Sequence, residues 1–311
     1  MSRNSHARRS LLAAAVAVTC TTIALSVTVQ WAPDGPPPGE RPPPLRPIGA
    51  TVTTSDDRLL HDAEQRLLSD CMSRHGFTYR VFPLGDEPDS TLFPYVVDDE
   101  AWARRHGYGA ELRRQRGALV KNDPNRAYFT ALPADRKATA LVAANGPSPD
   151  GLTVRLPGGG TMRRSDRGCV AESQRRLYGD LGAWFRSSTR VGTLQQILRS
   201  RVVADTGYQR SLGVWRRCMG RIGYAFATPA AARAAALSPV RPLPKGREIG
   251  LALAEVRCAV ESALSRTARR LDAHHDRLLA EEYRADVETR DRLRAAALPR
   301  ARRILSDVPQ A

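Results

Sequence analysis

Along most of the chain apolar residues recur at intervals of three and four, a period that predicts helices. The stretch "SDDRLLHDAEQRLLSDCMSRHG" places Leu59, Ala63, Leu67 and Cys71 on one stripe and stops at Gly76. "DDEAWARRHGYG" predicts a short helix ended by Gly107. "DPNRAYFTAL" and "PADRKATALVAANG" predict two more, each opened by a proline near its start. "GCVAESQRRLYGD" and "LGAWFRSSTRVGTLQQILRSRVVAD" follow as helices, the second linking two halves of the protein. "YQRSLGVWRRCMGRIG" spaces Leu212, Trp215 and Met219 at three and four, and "TPAAARAAAL" is a small helix. The period changes once, in "GLTVRLPGGGTMRRS", where two short runs flank Pro157 to Gly160 and predict a β-hairpin.

From Arg247 the helical pattern continues for about fifty residues, with Leu253, Val256, Val260, Ala263 and Leu271 on a stripe. At ~1.5 Å per residue a straight helix of that length would exceed about 70 Å. It therefore either bends near "DAHHD" at Asp272 to Asp276 or projects and pairs with something.

Two stretches share more than a period. "DCMSRHGFTY" at residues 70–79 and "RCMGRIGYAF" at residues 217–226 each carry Cys-Met, an Arg two places later, then Gly, an aromatic, a spacer and a second aromatic. Their counterparts match as well, Cys169 lying in "CVAES" and Cys258 in "CAVES". Four cysteines allow three pairings, and the duplication selects Cys71 with Cys169 and Cys218 with Cys258. The closed loops span 98 and 40 positions, and by loop-closure entropy they stabilise the fold by roughly 5 and 4 kcal/mol. In this reading each motif is a helix end. The cysteine staples it to a partner helix, the methionine fills the adjacent core, and Gly76 or Gly223 stops it.

The expected architecture is thus mostly α, with two related disulfide-stapled helical halves at residues 55–183 and 184–311. A small β-hairpin is inserted in the first, and a long C-terminal helix closes the second.

The N-terminus does not belong to this fold. Arg3, Arg8 and Arg9 precede Leu11 to Val29, nineteen uncharged residues, so residues 1–32 read as an export signal or an N-terminal membrane anchor. "RRSLL" at residues 8–12 also fits a twin-arginine export signal. The basic end stays in the cytoplasm and everything after Trp31 is outside. Residues 33–50 form a proline-rich disordered spacer, with eight prolines among the fifteen residues from Pro33 to Pro47. Extended, those fifteen residues reach roughly 45 Å.

Charge narrows the set of partners. Setting aside Arg3, Arg8 and Arg9 leaves 45 basic residues against 32 acidic ones, and only Lys121, Lys137 and Lys245 are lysines. Such an arginine bias is what a GC-rich genome would give. Residues 160–221 hold thirteen Arg against four acids, whereas residues 247–307 hold thirteen against eleven, so the middle of the chain carries the basic surface. Outside the cell the counterparts of such a surface are an anionic wall polymer, lipid headgroups or an envelope protein. No nucleic-acid reading module is recognisable, and nucleic acid is not an expected partner.

Chemistry-bearing constellations are sparse. The glycines of Gly158 to Gly160 lack the Gly-Lys-Ser/Thr of a phosphate loop. Neither Cys-x-x-Cys nor clustered histidines occur, so no metal or cofactor is expected. His274 and His275 point to different helix faces and read as part of a solvated surface, as a pair beside Asp272 and Asp276. Asp98, Asp99 and Glu100 read as partners of a helix N-terminus, and His75 as a favourable group at a helix C-terminus. Glu172 and Glu261, each three residues after a cysteine, are the candidate carboxylates. They either pair with Arg74 and Arg221 or do acid/base work.

Trp215, Cys218, Met219, Gly223 and Tyr224 with Cys258 form "W..CM...GY" followed by a helix-borne cysteine. With "DDEAWARRHGYG", "LTVRLPGGGT" and "GCVAESQRRLYGD", the chain resembles uncharacterised exported proteins of actinobacteria over most of residues 55–290. The resemblance implies export and a cell-envelope setting and transfers no activity. The leading expectation is a non-enzymatic extracytoplasmic protein of the envelope. The alternatives are an exported hydrolase acting on wall material, with Glu172 or Glu261 as acid/base, and an accessory subunit of an envelope export complex.

Overall fold

The structure, a computed structural model, describes residues 54–81 and 93–306. The export or anchor segment and the proline-rich spacer lie outside the described residues. No helix among the described residues is long and apolar enough to cross a membrane.

Twelve helices and one hairpin are present among the described residues. In chain order they are α1 (Thr54–Arg74), α2 (Glu100–His106), α3 (Ala110–Lys121), α4 (Pro124–Ala131) and α5 (Ala134–Asn145). The hairpin β1 (Gly151–Arg155) and β2 (Thr161–Ser165) follows, antiparallel with Gly151 opposite Ser165 and Arg155 opposite Thr161. Then come α6 (Cys169–Tyr178), α7 (Leu181–Ala204), α8 (Thr206–Arg221), α9 (Pro229–Ala236), α10 (Lys245–Glu261), α11 (Leu264–Glu282) and α12 (Arg284–Ser306). The mostly α fold, the hairpin, both disulfides and a long C-terminal helix are as the pattern predicts. Helix α3 was not predicted: it buries no side chain, so it carries no apolar stripe to read.

Helix α7 is the spine, at ~1.5 Å per residue roughly 36 Å long. Its first turns bring Leu181, Trp184 and Phe185 into the core, and Trp184 stacks on Tyr178 with ring centroids 3.5 Å apart. Trp184 and Tyr178 join Leu60, Ala63 and Leu67 of α1, Leu177 of α6 and Ala297 and Ala301 of α12 in one apolar cluster. Further along α7, Val191, Leu194, Leu198 and Val202 belong to a larger cluster with Tyr208, Leu212, Trp215 and Met219 of α8, Leu251 and Val256 of α10 and Leu264 and Leu271 of α11. The C-terminal end of α1 packs with Ala140 and Ala144 of α5 and Cys169 of α6 in a third.

The fifty-residue C-terminal stretch is helical but broken twice, and neither break is at Asp272–Asp276, which lies within α11. The first falls at Ser262 and Ala263. Ala263 takes a left-handed conformation (φ 56°), while the Ser262 hydroxyl donates to the Cys258 carbonyl at 2.7 Å and accepts from the Leu264 N–H at 3.3 Å. The second falls at Tyr283. Val260, expected on the core stripe, is 68% exposed, whereas Val256 is buried as expected, together with Leu251, Ala252 and Ala259. After its turns, α12 returns to α1, where Arg294 pairs with Asp57, and to α6, where Arg300 Nε donates to the Leu177 carbonyl at 2.6 Å.

Both predicted cross-links are formed, Cys71–Cys169 and Cys218–Cys258, each with Cα atoms 5.5 Å apart. Their loop lengths set an order. Replacing Cys71 and Cys169 together by serine is expected to cost roughly 5 kcal/mol of unfolding free energy, and the Cys218/Cys258 pair roughly 4. Urea denaturation of the two double variants checks both magnitudes and order.

Candidate functional site

The two cysteine clusters are built alike. Helices α1 and α8 both end in an amide chain around the methionine: the His75 and Ile222 N–H groups donate to the Met72 and Met219 carbonyls at 3.1 and 3.2 Å. The Phe77 and Tyr224 N–H groups donate to the same carbonyls at 3.0 and 2.9 Å. That exit needs a left-handed residue, supplied by Gly76 (φ 75°) and Gly223 (φ 88°). Met72 and Met219 are buried beside the sulfurs.

Across each disulfide stands the candidate carboxylate. Glu172 on α6 pairs with Arg74 through Oε1, and Glu261 on α10 pairs with Arg221 through Oε1. The other oxygen rests on sulfur, Glu172 Oε2 at 3.3 Å from Cys71 Sγ and Glu261 Oε2 at 3.2 Å from Cys218 Sγ. An oxidised sulfur carries no proton, so these are packing contacts and not hydrogen bonds. Ser173 and Ser262 complete the match, each hydroxyl donating to the cysteine carbonyl four residues earlier at 2.7 Å. The glutamates are 39% and 40% exposed, a setting in which an ion pair contributes about 0–1 kcal/mol. They belong to different helix pairs, and each takes its arginine from its own pair, α1 with α6 and α8 with α10. The arrangement fixes the two helix ends around the sulfurs.

The clusters differ in two respects. Helix α6 continues past Ser173 to Tyr178, whereas α10 ends at Glu261. Position four after the first cysteine is His75 in one and Ile222 in the other.

The remaining predicted groups are dispersed. Asp99 caps α2, accepting from the Trp102 N–H at 2.6 Å, and Glu100 pairs with Arg104 in the first turn. Asp98 instead turns to α11 and pairs with Arg269. His106 packs on Trp102 with ring centroids 4.4 Å apart. His274 is exposed, but His275 is not on a solvated face: its side chain is 17% exposed, with Nε2 3.9 Å from Asp205 Oδ2.

The buried carboxylates Glu248, Glu255 and Glu64 escaped the pattern, and Asp272, expected on a solvated surface, is half-buried. Glu248 accepts from the Tyr108 and Ala110 N–H groups at 2.8 and 3.1 Å. Glu255 accepts from the Val97 N–H and the Tyr108 hydroxyl, both at 2.6 Å. These two, seven residues apart on α10, bind residues 97–110 to that helix, and Arg233 lies 5.8 Å from the Tyr108 ring centroid. Gly107 makes the approach possible, since a Cβ there would stand 2.8 Å from the Glu248 side chain. Glu64 on α1 accepts from Gln174 Nε2 at 2.9 Å and the Tyr178 hydroxyl at 3.2 Å, and burial raises its carboxyl above the ordinary range. Tyr95 donates to Asp272 at 2.5 Å, and burial raises both groups. The available signal was two acids seven apart, Glu248 and Glu255, on the face of α10 that carries Leu251 and Ala259.

Helix α8 carries part of the basic surface. Asp205 caps this helix, accepting from the Gly207 N–H at 2.6 Å. One face buries Tyr208, Leu212, Trp215, Cys218 and Met219, and the opposite face exposes Arg210, Arg216 and Arg217. None of those three takes part in the ion pairs of the described residues, whereas Arg163, Arg190, Arg201 and Arg221 do.

The chain matches no family model, no curated protein and no solved structure.

Asp98 supplies a test of the electrostatics. Burial outweighs the contacts with Arg269 and Ser265 and pushes its carboxyl up to about 6, from an ordinary 3.8; its side chain is 2% exposed. Folding therefore favours the protonated form. The contribution is full below about pH 4 and is lost as pH rises through 6. The unfolding free energy of wild type minus that of Asp98→Asn is expected to fall by up to about 3 kcal/mol between pH 4 and 7. Urea denaturation across that range measures it.

Proposed function

We propose that the protein is a non-enzymatic component of the cell envelope, held outside the membrane by its N-terminal segment or released after cleavage of that segment. Its folded part binds an anionic wall polymer through α8. The observation that carries this reading is the arginine face of α8, with Arg210, Arg216 and Arg217 exposed and outside the ion pairs of the described residues, on a helix whose other face is fixed in the core. A rigid row of guanidinium groups suits repeated phosphate or carboxylate groups, which arginine meets with a planar fork of donors. Two disulfides suit an oxidising compartment, and they support placing this surface outside the cell. The same reading takes the two cysteine clusters as copies of one helix-pair module, supported by their matched Arg–Glu, Ser–carbonyl and Met–carbonyl contacts.

Binding of this kind depends on salt. Each arginine near an anionic surface contributes about 1 kcal/mol, so reversing Arg210, Arg216 and Arg217 to glutamate is expected to weaken retention on isolated envelopes by roughly a hundredfold or more. Reversal of Arg257, Arg277 and Arg292, exposed residues of the mixed C-terminal region, should have a much smaller effect. Co-sedimentation of the soluble part over a salt series measures both. Retention that survives high salt and the triple reversal on α8 overturns the proposal.

A further inference from the structure

The difference between the two cysteine clusters points to a second chemistry in the first of them. Cys71 and His75 are four residues apart at the end of α1, which puts both donors on one face of the helix. Cys169 opens α6 on the other side, and its sulfur, the Cys71 sulfur and a ring nitrogen of His75 all lie within 4.8 Å of one another. Glu172 stands against one sulfur only. Its Oε1 is held by Arg74, leaving Oε2 facing the Cys71 sulfur at 3.3 Å.

We propose that this cluster, once its disulfide is reduced, is a binding site for a borderline-soft divalent metal ion such as Zn²⁺, with Cys71, Cys169 and His75 as ligands. Two thiolates and an imidazole are the donors of a four-coordinate zinc site whose remaining position is open to water. In such a site thiolate sulfurs stand ~3.8 Å apart, at Zn–S distances near 2.3 Å. Cysteines whose Cα atoms are 5.5 Å apart reach that separation by side-chain rotation alone. The sulfurs are buried and the imidazole is exposed, so His75 is the side from which an ion enters.

The chemistry balances in two steps. A dithiol reductant gives two electrons and two protons to the Cys71–Cys169 bond and leaves as its own disulfide. The metal ion then displaces the two thiol protons, which pass to solvent, while neutral His75 adds its lone pair. While the disulfide is intact neither sulfur is a thiolate, so the oxidised protein holds no ion there.

The second cluster is the built-in control. It has the cysteines, the arginine, the glutamate and the serine in the same places, with Ile222 where the first has His75. The site therefore depends on one residue.

The test uses the full chain in a Cys20→Ser background, which removes the fifth thiol, reduced with a phosphine and titrated with Co²⁺ and then Zn²⁺. The expected result is one Co²⁺ per reduced chain, with thiolate charge-transfer absorption and the visible bands of tetrahedral cobalt, and none in the oxidised protein. His75→Ile should weaken binding at least about tenfold. Ile222→His should give a second equivalent, and helicity by circular dichroism should persist in the zinc-loaded protein. The proposal is overturned if wild type binds no ion or two, if His75→Ile binds as tightly as wild type, or if Ile222→His gains no second ion. Loss of helicity on reduction that zinc does not restore overturns it equally.

Discussion

Charge repulsion is the constraint against which this fold is built. A chain with 48 basic and 32 acidic residues has a compact state that repels itself, and its arginines are spread over nearly every helix. The two disulfides answer this without adding charge. Each closes where a helix end must be held against a partner, the ends of α1 and α8, and each is sealed by a methionine on the core side and an Arg–Glu pair on the solvent side. The ion pairs at those surfaces contribute little by themselves. Their place beside the sulfurs instead neutralises one arginine per helix end, where a second uncompensated cation would add to the repulsion.

Away from the cross-links, buried carboxylates connect what the sulfurs do not. Glu248 and Glu255 hold residues 97–110 on α10, Glu64 holds α6 on α1, and Asp98 and Asp272 reach between α11 and the chain before α2. Burying a charge costs several kcal/mol unless hydrogen bonds satisfy it, and here each carboxylate accepts from backbone amides, tyrosine hydroxyls, a glutamine or an arginine. The upward pKa directions at Glu64, Asp98 and Asp272 express the residual cost, because in each case burial is the largest contribution. The interior therefore tolerates mild acid better than a fold held together by exposed, strongly ionised carboxylates.

Much of this was legible in the sequence, for particular reasons. The disulfide pairing could be read because Cys-Met-x-Arg and Cys-x-x-Glu-Ser occur twice and break the symmetry among the three pairings. The hairpin could be read from its change of period, and α1, α2 and α8 from the glycines that follow them. Helix α3 could not, because a helix with every side chain at least partly exposed leaves no stripe. The break at Ser262–Ala263 was hidden for the opposite reason: alanine is the best helix former, so nothing local announces a left-handed residue there. Tertiary packing imposes it, with the Ser262 hydroxyl taking over bonds on both sides of the corner. His275 and the buried glutamates depend on neighbours remote in sequence, Asp205 for the one and residues 97–110 for the others, and pattern along the chain does not contain them.

The same frame can thus serve two ends because its structural parts and its variable parts are separate. Sulfur, methionine, glycine and the Arg–Glu pair fix the helix end in both clusters, and none of them depends on what occupies the residue after the arginine. That residue sits one step before the terminating glycine. There the helix is ending, so its side chain is free of the packing demands placed on Met72 and Met219. Isoleucine at this position packs against the core, as Ile222 does. Histidine at the same position places an imidazole beside two sulfurs while leaving the rest of the corner unchanged. A position that stability leaves open is where a stapled helix pair acquires chemistry, and in this protein the two clusters differ there.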